Sequence, residues 1–384
     1  MENISGTTRK IISIHLLVTQ QCNFNCVYCY GKNPGPLENM DSLTARRSID
    51  WLFDHSGTRK KVRVEFFGGE PLLNMPLIRE TINYTRKQEK KSGKTTTFAM
   101  TTNGALLTEE NVQFLKQHKV GTMISLDGPA QIHDSQRPLK TGGKSHGAVL
   151  SGIENIFRDA PEIISGCRAT LKGPVNTNTA WEIKQYLWQL GFDNAFVTPA
   201  TAPLSSGSGS RERDTAVRSA LHMVEQDAAL FIPLLRDKKT KILRRYRAGL
   251  LLLSLKRIRG KARSRYRCSA GRSSVAVGHD GQVYTCHRFA GMISFCQGSV
   301  FDPLPATPSK PKEQNKLPAP CLGCSANILC AGGCLYENMV QTGSPISPAR
   351  DLCRITRKIV HCAREINACL TKEDVQFMKE MSLL

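Results

Sequence analysis

The sequence has no apolar run long enough to cross a membrane. A membrane-spanning helix needs about 20 predominantly apolar residues, and the longest candidate here, residues 250–255, is far shorter. The N-terminal residues also lack the apolar core and small-residue cleavage site of a secretory signal. These absences exclude a membrane-embedded protein and predict a cytoplasmic location, where cysteines stay reduced and available as thiolate ligands.

Acidic residues are scarce relative to basic ones. The chain has 53 Lys and Arg against 32 Asp and Glu, which gives a formal net charge of +21. The imbalance is concentrated in residues 236–272, which contain fifteen basic residues and one acidic residue, Asp237. Such a run is either a solvated helix surface or a binding site for an acidic partner, such as a leader peptide or nucleic acid.

The remaining composition is that of a globular protein, with 40% hydrophobic and 22% charged residues among 384. A single core rarely grows past about 250 to 300 residues, so two domains are expected. In the first half, helical patterns alternate with six β-branched or apolar segments: residues 11–19, 62–67, 97–102, 122–126, 167–171 and 195–198. Strand–helix units in series predict an α/β fold, a partial (β/α)6 barrel of the TIM type, with functional residues at the C-terminal strand ends.

The second half is less regular. A long charged helix is predicted over residues 212–255 with a break near Pro233, and the tail from residue 354 to 384 is predicted to be helical. Residues 205–210 are rich in Ser and Gly and residues 302–320 are rich in Pro, so both are predicted loops. We divide the chain into a partial barrel (residues 1–235), a basic helical connection (236–265) and a small cysteine-rich domain with a C-terminal helix (266–384).

Three of the 14 cysteines, Cys22, Cys26 and Cys29, follow directly on the first predicted strand, with three and two residues between them. Three thiolates can hold a cluster of four irons, but one iron then has no protein ligand and must bind a small molecule. The alternative is zinc. Structural zinc sites want four ligands and usually pair two-residue spacings, so this loop fits zinc poorly.

This loop, with Tyr28 before its third cysteine, resembles the signature of the radical S-adenosylmethionine (SAM) superfamily. The resemblance implies a radical SAM barrel in which the open iron chelates the amino and carboxylate groups of SAM. One-electron transfer then cleaves SAM to a 5'-deoxyadenosyl radical, which abstracts hydrogen from a substrate.

Further motifs at predicted strand ends resemble those that surround SAM in this family. Gly68, Gly69 and Glu70 are similar to the motif that contacts the SAM amino group, where glycine allows close backbone approach. The resemblance assigns Ser125 and Arg137 to the SAM ribose or carboxylate, with turn or surface roles as the alternative. The candidate cofactor-binding residues are Tyr28, Gly68, Gly69, Glu70, Asn103, Ser125 and Arg137.

Seven cysteines in the last third have the spacing of the SPASM domain of radical SAM peptide maturases in every interval. The resemblance implies two auxiliary clusters, and therefore three [4Fe-4S] clusters together with SAM. One set lacks a fourth ligand, which Cys296, solvent or a substrate thiolate would supply; a zinc ribbon at residues 321–334 is the alternative. The two implied ligand sets are Cys321, Cys324, Cys330 and Cys353, and Cys268, Cys286 and Cys334.

Two classes of radical SAM enzyme share this arrangement. Anaerobic sulfatase-maturating enzymes form formylglycine, and maturases of ribosomal peptides form thioether, carbon–carbon or related cross-links. The sequence around Cys268 and residues 286–289 is similar to thioether-forming maturases. Sulfatase-maturating enzymes use an Asp shortly before the first auxiliary cysteine as proton acceptor, whereas no Asp or Glu lies between Lys238 and Asp280. The missing base favours cross-linking, although His287 or Tyr266 could substitute.

The expected partner is a precursor peptide or protein substrate. The first predicted strand starts at residue 11, which leaves no room for a leader-binding domain before it. We therefore expect a separate leader-binding protein, or an acidic leader held by residues 236–272, together with a flavodoxin- or ferredoxin-type reductant. RNA modification is a third reading, but no RNP-type motif is present. An iron–sulfur protein without catalytic activity is a fourth.

Overall fold

The structure is a computed structural model that describes residues 10–31, 37–172, 175–200, 210–247, 249–260, 268–303 and 317–384. The six predicted strands are present and all pair in parallel, which confirms the predicted α/β fold. Their order in the sheet is β6-β5-β4-β3-β2-β1. The strands are β1 (Ser13–Thr19), β2 (Lys61–Gly68), β3 (Thr95–Thr102), β4 (Gly121–Ser125), β5 (Ile164–Leu171) and β6 (Ala195–Pro199).

Six helices connect these strands and cover one face of the sheet. Helix α3 (Glu109–Gln117) has a capped N-terminus, because the Thr108 side chain accepts a hydrogen bond from the Asn111 backbone and acids follow in the first turn. On β2, Val64 and Phe66 are buried in the core, whereas Glu65 faces the opposite side. The helices are α1 (Ser42–His55), α2 (Met75–Ser92), α3 (Glu109–Gln117), α4 (Ala130–Gln136), α5 (His146–Asp159) and α6 (Thr179–Gln189).

The cysteine-rich segment extends the same sheet. Strand β7 (Ser274–Val277) pairs in parallel with β1, and β8 (Gln282–Tyr284) and β9 (Cys296–Ser299) follow as antiparallel strands. Within the described ranges the sheet therefore has nine strands. Because β7 lies beside β1, the segment that carries Cys268 and Cys286 comes next to the loop that follows β1.

The long helix predicted over residues 212–255 is divided, but the division lies after Arg236 and not at Pro233. Helix α7 (Ser210–Arg236) continues through Pro233, and the chain then turns at Lys238, whose φ of 51° is left-handed. Proline removes an N–H donor and its ring crowds the carbonyl four residues earlier, and the helix ends within one turn of Pro233. Two shorter helices follow, α8 (Thr240–Leu243) and α9 (Leu250–Ile258).

The C-terminal helices pack on α7 and α9 to form a second core, which includes Phe231, Leu252, Val360 and Met378. The prediction of a helical tail is confirmed. Because this core takes residues from all three proposed segments, it does not isolate any of them. The helices are α10 (Ala319–Leu322), α11 (Asn327–Cys330), α12 (Leu335–Thr342), α13 (Arg350–Cys369) and α14 (Lys372–Glu380).

Several arginines of the basic stretch have structural partners. Arg236 donates to the Cys369 carbonyl at 3.3 Å, Arg247 to the Met381 carbonyl at 2.9 Å, and Arg257 to the Ile328 carbonyl at 2.9 Å. These carbonyls lie at or near helix C-termini, where acceptors lack intrahelical partners and positive charge is favourable. Part of the basic stretch therefore stabilises the fold.

Some sequence predictions concern residues outside the described part of the chain. These are residues 261–267, which include Tyr266, and most of the two predicted loops, namely residues 205–209 and 304–316. Within the described residues, no helix is both long enough and apolar enough to span a bilayer.

Candidate active site

A cavity of about 1610 Å³ lies at the C-terminal ends of the parallel strands. It brings together the two parts of the sequence that carry the cysteine motifs. Glu70 and Cys286 are not among its lining residues, although their neighbours are. Of the predicted site residues, those that line the cavity are Cys22, Cys26, Tyr28, Cys29, Gly68, Gly69, Asn103, Ser125, Arg137, Cys268 and Cys334.

The loop that carries Cys22, Cys26 and Cys29 is fixed by a second segment of chain. The Asn25 backbone N–H donates to the Pro138 carbonyl at 2.8 Å, and that of Val27 to the Gln136 carbonyl at 2.9 Å. In the opposite direction, the Lys140 N–H donates to the Asn23 carbonyl at 2.8 Å. Residues 23–27 are therefore held by residues 136–140, which follow α4.

Asp127 also holds this loop in place through Tyr28, a role that sequence analysis missed. Its carboxylate is fully buried, accepts a hydrogen bond from the Tyr28 hydroxyl and lies 3.1 Å from Arg137 Nε. The Thr170 N–H also donates to it, at 2.9 Å. The signal was present, because the Ser-Leu-Asp-Gly-Pro motif at residues 125–129 ends a strand, but nothing local indicates which residue the Asp contacts.

This network changes the interpretation of Arg137. Its guanidinium is buried against Asp127, and Nη1 lies 3.8 Å from Cys26 Sγ. Burial opposes the charge, but Asp127 outweighs that penalty and raises the pKa of Arg137 well above its usual value. Asp127 thus holds the guanidinium of Arg137 in place, and Nη1 brings a donor beside the Cys26 thiol.

The two glycines of the Gly-Gly-Glu motif are required by the approach of two protein segments. A Cβ on Gly68 would lie 2.2 Å from the Thr19 carbonyl oxygen, and one on Gly69 would lie 2.1 Å from that of Gln21. The Gly69 N–H donates to the Thr19 carbonyl at 2.8 Å. The motif therefore fixes the start of the cysteine loop against the end of β2.

Glu70 is wholly buried and supports a neighbouring residue. Its carboxylate accepts from the Asn103 N–H at 2.7 Å and from the Thr102 hydroxyl at 2.8 Å. Burial raises the pKa of Glu70 to about 7, although these hydrogen bonds oppose the shift. Asn103 in turn donates to the Asn23 side chain at 2.7 Å, inside the cysteine loop.

The three thiols of the loop fit metal-bound thiolates. Burial raises the pKa of Cys26 to about 12 and also raises that of Cys22. Without a metal, Cys22 and Cys26 would therefore be protonated, whereas metal binding displaces the proton. Donors already point at the sulfurs, since the Phe24 N–H lies 3.4 Å from Cys22 Sγ and Arg137 lies near Cys26.

A second, small cavity of about 40 Å³ is lined by four of the predicted cluster ligands. Burial opposes ionisation of Cys324, but hydrogen bonds from the Ala326 backbone and the Arg357 side chain lower the pKa of its thiol. The structure thus gathers the set that the resemblance assigned to one auxiliary cluster: Cys321, Cys324, Cys330 and Cys353.

The chain reverses between Cys330 and Cys334. Ala331, Gly332 and Gly333 all have left-handed backbone angles, with φ values of 46°, 92° and 87°. Three such residues in succession turn the chain sharply, and glycine tolerates this conformation without steric cost. As a result Cys330 lines the small cavity, while Cys334 lines the large one.

Cys334 lies near the remaining pair, Cys268 and Cys286. Burial, together with the nearby Cys268 and Cys334, raises the pKa of Cys286 to about 11. Cys296, the candidate fourth ligand, is engaged elsewhere. Its thiol donates to Gln282 Oε1 at 3.1 Å and lies 3.5 Å from the Gly298 carbonyl oxygen.

Aromatic and charged side chains lie between the two cysteine groups. The Arg288 guanidinium lies 4.1 Å from the centre of the Tyr336 ring and 5.1 Å from that of Tyr30, which follows Cys29. Arg288 is paired with Glu337 at 2.9 Å. Burial, together with His15 and Arg288, lowers the pKa of His287 well below its usual value, so this imidazole is neutral.

Within the described residues, no three His, Cys, Asp or Glu side chains gather closely enough to bind one metal ion directly. The cysteines are instead distributed around the two cavities, with the donors described above beside them.

Residues 16–164 match the family model described as the Radical SAM superfamily. The chain therefore contains a radical SAM domain. The match covers the cysteine loop, the Gly-Gly-Glu motif and strands β1 to β4, together with Asp127 and Arg137.

Curated relatives match over the same part of the chain. Radical SAM cyclopropyl synthase TigE of Paramaledivibacter caminithermalis is 27% identical over 141 residues, which are 33% of this chain and 29% of the relative. A serine-type anaerobic sulfatase-maturating enzyme of Bacteroides thetaiotaomicron is 30% identical over 147 residues, which are 37% of this chain and 35% of the relative. The chain thus spans about a third of the length of these two relatives.

Solved structures resemble nearly the whole chain. The enzyme anSMEcpe with bound AdoMet and Kp18Cys peptide superposes with a TM-score of 0.76 at 20% identity, covering 93% of this chain and 98% of that one. Streptococcus suis SuiB bound to precursor peptide SuiA gives a TM-score of 0.57 at 14% identity, covering 90% and 76%. At these identities the likeness concerns the fold, which agrees with a radical SAM barrel followed by a SPASM-type region.

Proposed function

We propose that this chain is a radical SAM enzyme that abstracts hydrogen from a ribosomally made precursor peptide and forms an intramolecular cross-link, either a thioether or a carbon–carbon bond. One observation carries the proposal. The three-cysteine loop lines the large cavity, and so do Cys268 and Cys334. These two cysteines belong to the ligand set that the resemblance leaves one ligand short. A peptide in that cavity can reach both groups of cysteines.

When bound, SAM and its [4Fe-4S] cluster supply the 5'-deoxyadenosyl radical. Cys22, Cys26 and Cys29 would hold that cluster, and the loop is kept in position by Asp127 and by residues 136–140. Gly68 and Gly69 shape the cavity floor by allowing two backbones to meet. Asn103, Ser125 and Tyr28 line the cavity and would contact SAM or its cluster.

Two auxiliary clusters complete the proposal. Cys321, Cys324, Cys330 and Cys353 would hold one, and Cys268, Cys286 and Cys334 would hold the other. The hydrogen bond of the Cys296 thiol to Gln282 supports a second set with three protein ligands, its fourth position being taken by solvent or by a substrate thiolate. A metal with an open position deprotonates and binds a thiol, which would suit a cysteine of the substrate and favours thioether formation.

Formation of formylglycine in a sulfatase is the second candidate, and one observation favours it. The sequence offers no carboxylate just before Cys268, but the structure places Glu65 in the cavity, 3.9 Å from His15. A carboxylate beside an imidazole could accept the departing proton. The argument from a missing base is therefore weaker than it is on the sequence alone.

The remaining partners are part of the same proposal. They are a flavodoxin- or ferredoxin-type reductant and either a separate leader-binding protein or an acidic leader held by the basic stretch. The described cysteines form no disulfides, so their thiols are available as metal ligands.

Intact mass is the measurement that tests the function. A short peptide encoded beside the gene would be co-produced with this chain without oxygen, and its mass compared with and without thiol alkylation. Loss of two hydrogens together with one alkylatable cysteine supports a thioether, and the same loss with thiols intact supports a carbon–carbon link. An unchanged peptide, with formylglycine in a co-produced sulfatase, favours the second candidate.

A matched control separates catalysis from iron binding alone. Purified enzyme with SAM and dithionite should form 5'-deoxyadenosine, and Cys26→Ser should abolish this, whereas Cys167→Ser should not, because Cys167 is buried away from the cavity. Absence of 5'-deoxyadenosine from the iron-loaded wild type would overturn the proposed activity.

A further inference from the structure

One cationic side chain reaches the cysteines of the small cavity. Arg357 lies on α13 four residues after Cys353, which is about one helical turn, and both residues line that cavity. The Arg357 side chain donates a hydrogen bond to Cys324, which lies on a separate segment of the chain. Arg357 is itself exposed, so it forms part of the cavity wall that faces solvent.

Cys324 is the best-solvated sulfur of this set in terms of protein donors. Besides Arg357, the backbone N–H groups of Ala326 and Asn327 donate hydrogen bonds to it. Burial opposes ionisation of Cys324, but these donors lower the pKa of its thiol, whereas burial raises the pKa of Cys321. Hydrogen bonds to the sulfur ligands are one of the factors that set the reduction potential of an iron–sulfur cluster.

The charge of Arg357 is not offset by a carboxylate. Its neighbours on α13 are paired, since Arg354 lies 2.7 Å from Asp214 and Lys358 lies 2.5 Å from Glu225. Among the described residues, no carboxylate forms an ion pair with Arg357. The hydrogen bond to the thiol and the other cysteines of the small cavity raise the pKa of Arg357 instead. The cysteines are therefore its anionic partners.

The other predicted auxiliary site differs in this respect. Arg288 lies near Cys286 and Cys334, and its guanidinium is 2.9 Å from Glu337. Such an ion pair offsets most of the positive charge that the cysteines would otherwise meet. An unpaired positive charge thus lies beside one predicted cluster site, and a neutralised one beside the other.

We propose that Arg357 raises the reduction potential of the auxiliary cluster that Cys321, Cys324, Cys330 and Cys353 would hold. This inference rests on the proposed function and deepens it, because it names the side chain that governs the redox state of one cluster. Reduction adds one electron to the cluster and neither forms nor breaks a bond, so the cluster gains one negative charge. A positive charge and an N–H donor beside its thiolates stabilise that added charge.

An anaerobic redox titration with dithionite, followed by electron paramagnetic resonance of the reduced clusters, measures this effect. The full chain with Cys22→Ala, Cys26→Ala and Cys29→Ala is the background, because it removes the overlapping signal of the first cluster. In this background, Arg357→Gln should make reduction of one auxiliary cluster about tenfold less favourable. For a one-electron couple this is a fall of about 59 mV. The second auxiliary cluster should keep its potential.

Two further measurements distinguish an electrostatic effect from a disturbed structure. Arg357→Lys keeps the charge without the planar donors, so its potential should lie between those of the other two proteins. Higher salt should reduce the difference between Arg357 and Arg357→Gln, because the exposed guanidinium is screened. If Arg357→Gln binds less iron, the fully loaded Arg357→Lys decides the test, and an unchanged potential there would overturn the inference.

Lys358→Gln is the matched control. It removes the same charge from the adjacent residue, which is paired with Glu225 and does not line the small cavity. It should change the reduction equilibrium by less than about twofold. A shift as large as that of Arg357→Gln would show that net charge, and not the position of Arg357, is responsible.

The outcomes separate this inference from the proposed function. Equal potentials with and without Arg357 would overturn the inference, while formation of 5'-deoxyadenosine by the wild type would leave the proposed function in place. About four irons per chain in the background, instead of about eight, would remove an auxiliary cluster and overturn the inference together with that part of the proposal. A shifted potential in an enzyme whose wild type forms no 5'-deoxyadenosine would support the inference and overturn the activity.

Discussion

The two cysteine-bearing regions are built in different ways. The loop of residues 22–29 is bonded to residues 136–140, rests on the buried Asp127 and abuts a nine-stranded sheet. The region of residues 317–353 begins with two four-residue helices, α10 and α11, and leaves Leu322 69% exposed. Protein contacts therefore organise the first site in advance, whereas the second has little core of its own, and we expect its order to depend on the proposed cluster.

Removal of iron should show the difference between the two sites with the largest effect. We expect chelation under reducing conditions to abolish exchange protection in α10 and α11, because the thiolates around the small cavity then lose their common partner. The backbone amides of Asn25 and Val27 should remain protected by their hydrogen bonds to the carbonyls of Pro138 and Gln136. Hydrogen exchange with mass spectrometry measures both regions in one sample, and equal loss of protection in the two would contradict the comparison.

One substitution removes the ion pair between Asp127 and Arg137 beside the first loop. Asp127→Asn removes the negative partner of buried Arg137, and breaking a buried ion pair costs about 3 to 5 kcal/mol. We expect a corresponding loss in the free energy of unfolding and faster exchange in residues 25–29. Asp280→Asn is the control, since Asp280 lines the same cavity without an ion pair among the described residues. A loss below about 1 kcal/mol for Asp127→Asn would mean that the ion pair is not important for stability.

Glu70 should make the stability of the first region depend on pH. Its pKa is raised to about 7 by burial, above the ordinary value of 4.5, so the folded state retains a proton that the unfolded state has lost. The contribution of Glu70 to the free energy of unfolding is therefore largest below pH 4.5 and falls by roughly 1.4 kcal/mol per pH unit as the pH rises toward 7. Denaturant unfolding of wild type and Glu70→Gln between pH 5 and 7 measures this slope. The same slope in both proteins would show that Glu70 is not its source.

Local pattern was enough to predict the strands and the motifs at their ends. Residues 62–67 alternate between buried and cavity-facing positions as a strand requires. The cysteine spacings carried the resemblance that implies the two ligand sets. Contacts between distant residues were not predictable, because the bond from Tyr28 to Asp127 and the pairing of β7 with β1 leave no local trace. For the same reason the ion pair of Arg137 with Asp127 was not predictable.

The basic stretch offers the smallest and most selective comparison. Arg247 donates to the Met381 carbonyl, so Arg247→Gln should cost about 1 kcal/mol of stability and leave substrate affinity unchanged.

Lys239, Lys241 and Arg244 are exposed and make no ion pair among the described residues. If they hold an acidic leader, their joint replacement by Gln should raise KM by a few-fold and reduce its dependence on salt. Steady-state kinetics at two salt concentrations separates these roles, because a structural arginine alters the melting temperature and a leader-binding one alters KM. An unchanged KM in the triple variant would assign the leader to a separate protein.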